Sequence, residues 1–185
     1  HDNNGVKDDE FPNELPMLPL RNVVIFPTTI FPIAVERDSS LKLIDETLTG
    51  TRILGCLFQK SADNDVPGPA DMHRFGTVCR IIKMLQLPNG AKNVVLQGLK
   101  RFRVVSFTAE EPYMRAEVEY IEDTGNGEMD IPTQALINNI RQNAVRMATV
   151  APNVPDEVAM IIQNIEDDRV LLDMISANLN ASVEE

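Results

Sequence analysis

ELPMLPLRNVVIFPTTIFPIAV, residues 14–35, is the stretch whose reading decides the fold. Four prolines (Pro16, Pro19, Pro27 and Pro32) cut this apolar run into pieces of two to seven residues. Each proline removes a backbone donor and turns the preceding residue away from helical geometry, so no helix survives here. A transmembrane helix is excluded too, because it needs about 20 apolar residues in unbroken helix. Short extended pieces joined by stiff corners remain: Met17–Leu20, Asn22–Phe26 and Ile30–Val35. Such a ribbon can fold back across itself and close one end of a small β-barrel, each piece pairing with a different neighbour.

Working outward, Asp38 or Ser39 is expected to cap a helix of about three turns, with Leu41, Ile44 and Leu48 on one face and Gly50 ending it. Arg52–Gln59 is apolar on both faces, as in a strand buried on both sides. Lys60–Arg74 is rich in Ser, Asp, Asn, Gly and Pro and is expected to be a loop of about fifteen residues, long enough to carry function or motion. Gly76–Leu87 is a strand whose parity slips, which a β-bulge or a strong bend near Lys83 would reconcile. Pro88-Asn89-Gly90 supplies hairpin chemistry. Asn93–Gln97 and Leu99–Phe107 follow as strands. Pro112–Ile121 alternates cleanly, with Met114, Ala116, Val118 and Tyr120 on one face and Arg115, Glu117 and Glu119 on the other.

Beyond the polar, two-glycine segment 122–130 the period becomes helical. Leu136, Ile140, Ala144, Met147 and Ala151 trace one stripe, and Pro155 begins a second helix with Asp156 and Glu157 near its positive end. Asp167 or Asp168 caps a third helix bearing Leu171, Ile175 and Leu179. The fold expectation is therefore α+β: a disordered lead over 1–14, a β-domain over 15–123, and a helical subdomain over 124–185 that stops short of a complete bundle, as a fragment of a longer chain would.

The net charge of −11 opposes wrapping phosphate backbones or anionic lipid, which takes clustered Lys and Arg. Residues 1–123 hold 14 basic and 18 acidic side chains, and residues 124–185 hold 3 and 10, so the helical part is the more acidic. Cys56 and Cys79 match no zinc or redox spacing and are expected to be reduced and packed, as in a cytoplasmic protein. No secretory leader is visible in the polar opening.

No Walker-type phosphate loop, nucleophile elbow or zinc-protease motif is present, so neither catalytic, cofactor-binding nor metal-ligating residues are assigned. His73 is expected to be an exposed loop residue. Asp63, Asp65 and Asp71 lack the glycine and closing glutamate of a calcium loop. Lys100, Arg101 and Arg103 surround one Phe, the pattern of a core residue with solvated neighbours rather than a base-stacking platform. The positive signal is apolar surface at the proline corners, where side chains cannot all turn inward. Phe26, Ile30, Phe31, Arg37, Leu41 and Met72 form the candidate binding surface, suited to extended, unfolded peptide; Pro32, Met17 and Met114 add to the apolar and polarisable set.

Three motifs in order carry a family resemblance. LPLRNVVIFP with a second FP at Phe31-Pro32, then Phe75-Gly-Thr-Val-Cys-Arg-Ile, then Leu87-Pro-Asn-Gly with Gln97-Gly-Leu-Lys-Arg-Phe, resemble the N-terminal domain of the ATP-dependent protease Lon, closely over 15–123 and more loosely beyond. The resemblance implies a six-stranded PUA-like barrel followed by helices, which helps select misfolded or tagged proteins. It also implies a parent with a AAA+ ATPase and a Ser–Lys protease, assembled as a hexamer in the cytoplasm. ATP and magnesium would belong to that ATPase module, and no catalytic residue maps onto this chain. The implied partners are unfolded proteins and other Lon subunits, without nucleic acid or membrane. Two other functions fit the pattern less well: a stand-alone substrate adaptor, which the unfinished last helix opposes, and a PUA-like RNA-binding module, which the charge opposes.

Overall fold

The computed structural model describes residues 11–21, 23–122, 130–152 and 154–178. Residues 1–10 of the expected lead over 1–14, Asn22, Gly125 and Gly127 of the two-glycine segment, the side chain of Asp156, and Leu179 lie outside them. The chain divides into two compact units between Ile121 and Glu122.

In the first unit the strands are β1 (Glu14–Leu20), β2 (Ile30–Val35), β3 (Ile53–Gln59), β4 (Met72–Gln86), β5 (Lys92–Ala109) and β6 (Arg115–Tyr120), with helix α1 (Asp38–Thr49) between β2 and β3. They form one sheet in the order β2-β5-β4-β3-β1-β6, and pairing of β5 with β6 closes it into a small barrel. β1 runs parallel to β3 through Met17–Leu20 and antiparallel to β6 through Glu14–Pro16. One strand thus serves two neighbours in succession, as its proline-divided sequence anticipates.

Two apolar clusters fill the barrel. Leu18, Leu20, Ile33, Val35, Leu54, Cys56, Cys79, Ile81, Val94 and Leu96 form one with Leu43 and Ile44 of α1. Full burial of those two helix side chains contributes about 1.5–3 kcal/mol each and seats α1 on the sheet. Lys92, whose side chain is nearly buried, pairs with Asp45, and the Tyr113 hydroxyl donates to Glu46, so the C-terminal half of the helix is tethered at two adjacent positions. The second cluster centres on Phe102 with Leu15, Met17, Leu57, Met72, Val78, Met114 and Val118.

Several expected elements differ. Residues 23–26 of the expected strand Asn22–Phe26 are not in a strand; they cross the barrel end as a ribbon. The expected strands Asn93–Gln97 and Leu99–Phe107 are one strand, β5, running through Gly98. The helix is preceded by Arg37 with no side-chain cap, and Gly50 (φ −107°) is not left-handed; Arg52 takes the positive φ of 59° instead. The parity slip in β4 is a register shift between Ile81 and Lys83, as expected, and a second lies between Val78 and Cys79. Gly90 alone carries positive φ in the hairpin turn, at 87°. β6 has the expected alternation, with Met114, Ala116 and Val118 buried.

The second unit holds α2 (Ile131–Val150), α3 (Asp156–Asn164) and α4 (Asp168–Ala177). Asp130 caps α2 by accepting from the Thr133 N–H, and Asp167 caps α4 by accepting from the Arg169 N–H. The expected stripe on α2 is rotated. Ile137 and Ala148 are buried and Ala144 packs beside them, whereas Leu136 and Met147 stand 60% and 66% exposed. The reason is Arg141. It lies on the inner face and donates from Nη1 to the carbonyls of Ile162 and Ile165 (3.0 and 2.6 Å), while its Nη2 meets Asp168 at 2.9 Å. This satisfies the open carbonyl end of α3 and turns the helix about that contact.

Candidate functional site

The ribbon between β1 and β2 is positioned by backbone contact with β5. The Thr28 N–H donates to the Gly98 carbonyl (3.0 Å) and the Gly98 N–H to the Thr29 carbonyl (2.9 Å). A Cβ on residue 98 would lie 2.2 Å from the Phe26 carbonyl oxygen, so only glycine permits this crossing. The buried Thr77 hydroxyl donates to the Ile25 carbonyl at 2.5 Å, satisfying a group that the missing ladder leaves open. Thr28 takes φ 65° behind Pro27, which turns the chain into β2.

This path leaves two strand edges open. Successive residues of a strand send their N–H and C=O groups to opposite edges. Because the Thr29 carbonyl accepts from β5, Phe31, Ile33 and Val35 face β5, and Ile30, Pro32 and Ala34 face away. Because the Met17 N–H donates to Met114 of the β6 side (2.8 Å), Pro19 has its carbonyl on that edge, beyond the end of the β6 pairing. β2 has only β5 as a neighbour in the sheet. A cleft of about 620 Å³ lies between these strands, lined by Pro19, Leu20, Val23, Phe31–Val35 and, at one end, Glu36, Arg37, Arg21 and Asp65.

The polar end of the cleft is built around Gln59, 1% exposed at the end of β3. Its Oε1 accepts from Arg37 Nη2 at 2.6 Å, and its Nε2 donates to the carbonyls of Ser61 (3.1 Å) and Asn64 (2.9 Å). Arg21 Nη2 reaches Asp65 at 2.6 Å and the Asn64 carbonyl at 3.3 Å. Arg21 Nε, also withdrawn from solvent, meets no acceptor among the described residues. Asp71 accepts from Asn64 Nδ2 (3.0 Å) and the Gly68 N–H (2.9 Å). The expected long loop is thus shorter, ending in the 3₁₀ turn Pro69–Asp71, and is knitted to its base. Burial, then the neighbouring Arg21 charge, lower the proton affinity of Arg37, and Asp65 partly offsets them.

The candidate residues sort as follows. Ile30 is 61% exposed on the open edge of β2, and Phe26 is half-buried on the ribbon. Phe31 and Arg37 line the cleft. Leu41 is half-buried against the first cluster. Met72 is a correction: at 2% exposure it packs in the second cluster, because β4 begins there rather than in a loop. Met17 and Met114 are interior as well. His73 likewise belongs to β4, its ring 5.8 Å from that of Phe58. Phe102 is fully buried, and Arg103 Nη2 pairs with Glu119 across β5 and β6 at 2.5 Å, the structural arrangement expected of that basic trio. Gln59, Arg21 and Asn64 escaped sequence reasoning. A glutamine closing an otherwise apolar strand was the available signal.

No helix among the described residues is long and apolar enough to cross a membrane. Residues 14–185 match the family model described as the ATP-dependent protease La (LON) substrate-binding domain. The chain is 37% identical over 184 residues to a Lon protease of Flavobacterium johnsoniae, covering all of this chain and 22% of that protein. It is 34% identical over 180 residues to a Lon protease 2 of Myxococcus xanthus, covering 97% of this chain and 22% of that one. The chain therefore spans about a fifth of the length of these relatives. Among solved structures, the fold is similar to the N-terminal domain of a Mycobacterium avium complex Lon protease (TM-score 0.59, 16% identity, 90% of this chain and all of that one). It is also similar to a Lon N-terminal domain protein from Xanthomonas campestris (TM-score 0.56, 19% identity, 90% and 98%). With sequence and fold in agreement, the chain belongs to the family of Lon substrate-binding domains.

Proposed function

We propose that this chain receives unfolded or misfolded polypeptide for an ATP-dependent serine protease whose AAA+ ATPase and Ser–Lys protease modules lie outside these 185 residues. The match of residues 14–185 to a substrate-binding domain carries the reading. Support within the chain comes from apolar side chains left at the surface, Ile30 well exposed and Phe26 and Leu41 half-buried, and from Phe31 and Arg37 lining the cleft. A shallow surface of this kind binds unfolded chain weakly, since ordering a flexible peptide consumes much of the contact energy. Six copies in a cytoplasmic hexamer would raise effective concentration, lifting avidity by about 10²–10⁴ over one site. ATP and magnesium serve the ATPase module in this scheme, and the chain alone performs no hydrolysis.

Chemical-shift mapping with reduced, carboxymethylated α-lactalbumin tests the reading. Perturbations are expected at Phe26, Ile30, Phe31, Arg37 and Leu41; shifts confined to the far side of the barrel, around Glu117 and Glu119, reject that surface. Incubating the chain with casein and ATP is expected to leave casein intact, and ATP-dependent cleavage would contradict the division of labour.

A further inference from the structure

The cleft between β1 and β2 presents backbone groups as well as apolar walls. The carbonyls of Pro19, Pro32 and Ala34 and the N–H of Ala34 lie on strand edges without a ladder partner among the described residues. An open edge is a template for another extended chain. The two edge prolines leave it rich in acceptors and poor in donors, which disfavours a complete ladder while still accepting a few N–H groups.

The polar end adds a charge requirement. Arg21 and Arg37 stand there together, and among the described residues only Arg21 has a bonded carboxylate, Asp65, which is itself 83% exposed. The Arg37 guanidinium is bonded to the neutral amide oxygen of Gln59. Arg21 Nε, a donor shielded from water, adds an N–H that has no acceptor among the described residues. A half-buried cation pair with one carboxylate already bound favours a second anion, and guanidinium heads hold carboxylates through charge-assisted hydrogen bonds. Glu36 also borders the cleft, but it is exposed at the rim.

We infer that this cleft takes a segment of unfolded polypeptide as an added strand on the β2 edge, with a carboxylate of that segment seated on Arg21 and Arg37. The inference rests on the substrate-receiving reading above and specifies how the segment is held. It gives an otherwise promiscuous surface a preference: extended apolar stretches flanked by Asp or Glu, or ending at a chain terminus, bind ahead of those flanked by Lys.

Fluorescence anisotropy with the 185-residue chain tests it. The probe is a labelled ten-residue peptide of alternating valine and threonine ending in aspartate with an amidated C-terminus. Replacing that aspartate by asparagine is expected to weaken binding about tenfold or more. Asparagine with a free C-terminal carboxylate separates the two sources of the anion: recovery of affinity shows that the seat takes a chain terminus as well as a side chain, and no recovery confines it to side-chain carboxylates. N-methylation of two alternate central amides is expected to abolish binding, and N-methylation outside the central residues to leave it intact. Arg37→Gln should weaken the aspartate peptide and leave the asparagine peptide unchanged, with Arg37→Lys recovering part of the loss. Circular dichroism confirms that each variant is folded, and the peptide series on the unaltered chain needs no variant at all.

Equal affinity for the aspartate and asparagine peptides overturns the carboxylate seat, and indifference to central N-methylation overturns the added strand. Self-association of the chain that the peptide displaces would assign the cleft to a second copy and overturn the proposal. Carboxymethylated α-lactalbumin is titrated in parallel. If it binds while the peptides show neither dependence, this inference fails and the substrate-receiving reading stands. If nothing binds, that reading fails too.

Discussion

Gly98→Ala should destabilise the barrel through the ribbon that crosses it. The new Cβ would sit 2.2 Å from the Phe26 carbonyl oxygen and 3.3 Å from Ile25 Cγ2, and the nearer obstacle is backbone, which cannot rotate away as a side chain would. Relief requires the ribbon to lift from β5. That breaks or lengthens the bonds Thr28 N–H to Gly98 O and Gly98 N–H to Thr29 O, each contributing about 0.5–1.5 kcal/mol. It also pulls the Ile25 carbonyl away from the Thr77 hydroxyl, and an unsatisfied buried carbonyl costs about 1–3 kcal/mol. Against these stands a gain of about 0.4–1 kcal/mol from a less flexible unfolded chain. The net expectation is a loss of about 1–5 kcal/mol, whose middle value of about 3 kcal/mol corresponds to about 12 °C in Tm for a unit of this size. Urea denaturation followed by circular dichroism gives the value. Gly90→Ala provides the comparison: nothing lies within 4 Å of its added Cβ, so only the positive φ is penalised, at about 1–2 kcal/mol. A Gly98→Ala chain within about 0.5 kcal/mol of the parent would refute the reasoning, since it would mean the ribbon is not held by this contact. Because the ribbon carries Phe26 and leads into Ile30, the same variant should weaken capture of carboxymethylated α-lactalbumin.

Arg141→Met should cost the helical unit about 2–3 kcal/mol, because it opens the carbonyls of Ile162 and Ile165 and leaves Asp168 without its cation. Hydrogen exchange should speed up over 131–177 and stay unchanged in β3–β5; uniform protection would count against it. Thr77→Val removes the hydroxyl that serves the Ile25 carbonyl and should lower stability by about 1–3 kcal/mol without altering the m-value, whereas a neutral result would show that the carbonyl finds another partner. Alkaline stability follows from burial. Burial and the adjacent Cys79 push the Cys56 thiol well up, and burial pushes the Tyr120 phenol up to about 12. A group whose native pKa is raised contributes stability that is complete below its unfolded value and lost as pH rises toward the native one. The urea midpoint should therefore hold level between pH 6 and 8 and fall progressively above about pH 8.5, where the unfolded thiol begins to ionise. Cys56→Ala should flatten the fall between about pH 8.5 and 10 relative to its own value at pH 7, and a midpoint level through pH 10 in the parent would contradict the burial argument.

Much of the barrel was readable along the chain because its cues are local. Prolines at 16, 19, 27 and 32 forbid helix wherever they fall, the alternation of 114–120 declares one wet face, and the parity slip in β4 requires an extra residue near Lys83. Asp167 caps its helix by bonding a backbone N–H two residues on, which neighbours alone determine. The remaining features depend on groups distant in sequence. Gly98 looks like a strand break, and is instead the point at which another segment's carbonyl passes within contact. Met72 looks accessible beside a polar loop, but the pairing of Gln59 with Met72 draws it into the core. Periodicity on α2 favours Leu136 and Met147, yet Arg141 finds two open carbonyls on α3 and rotates the buried face toward Ile137 and Ala148. The sequence by itself determined which residues could be helical, extended or turning, because sterics and backbone donors act within a few residues. Only the tertiary structure decided which strand edges stay open, which arginines meet and where the cleft lies, because edges and charge pairs exist only once segments some 10 to 70 positions apart have been brought together.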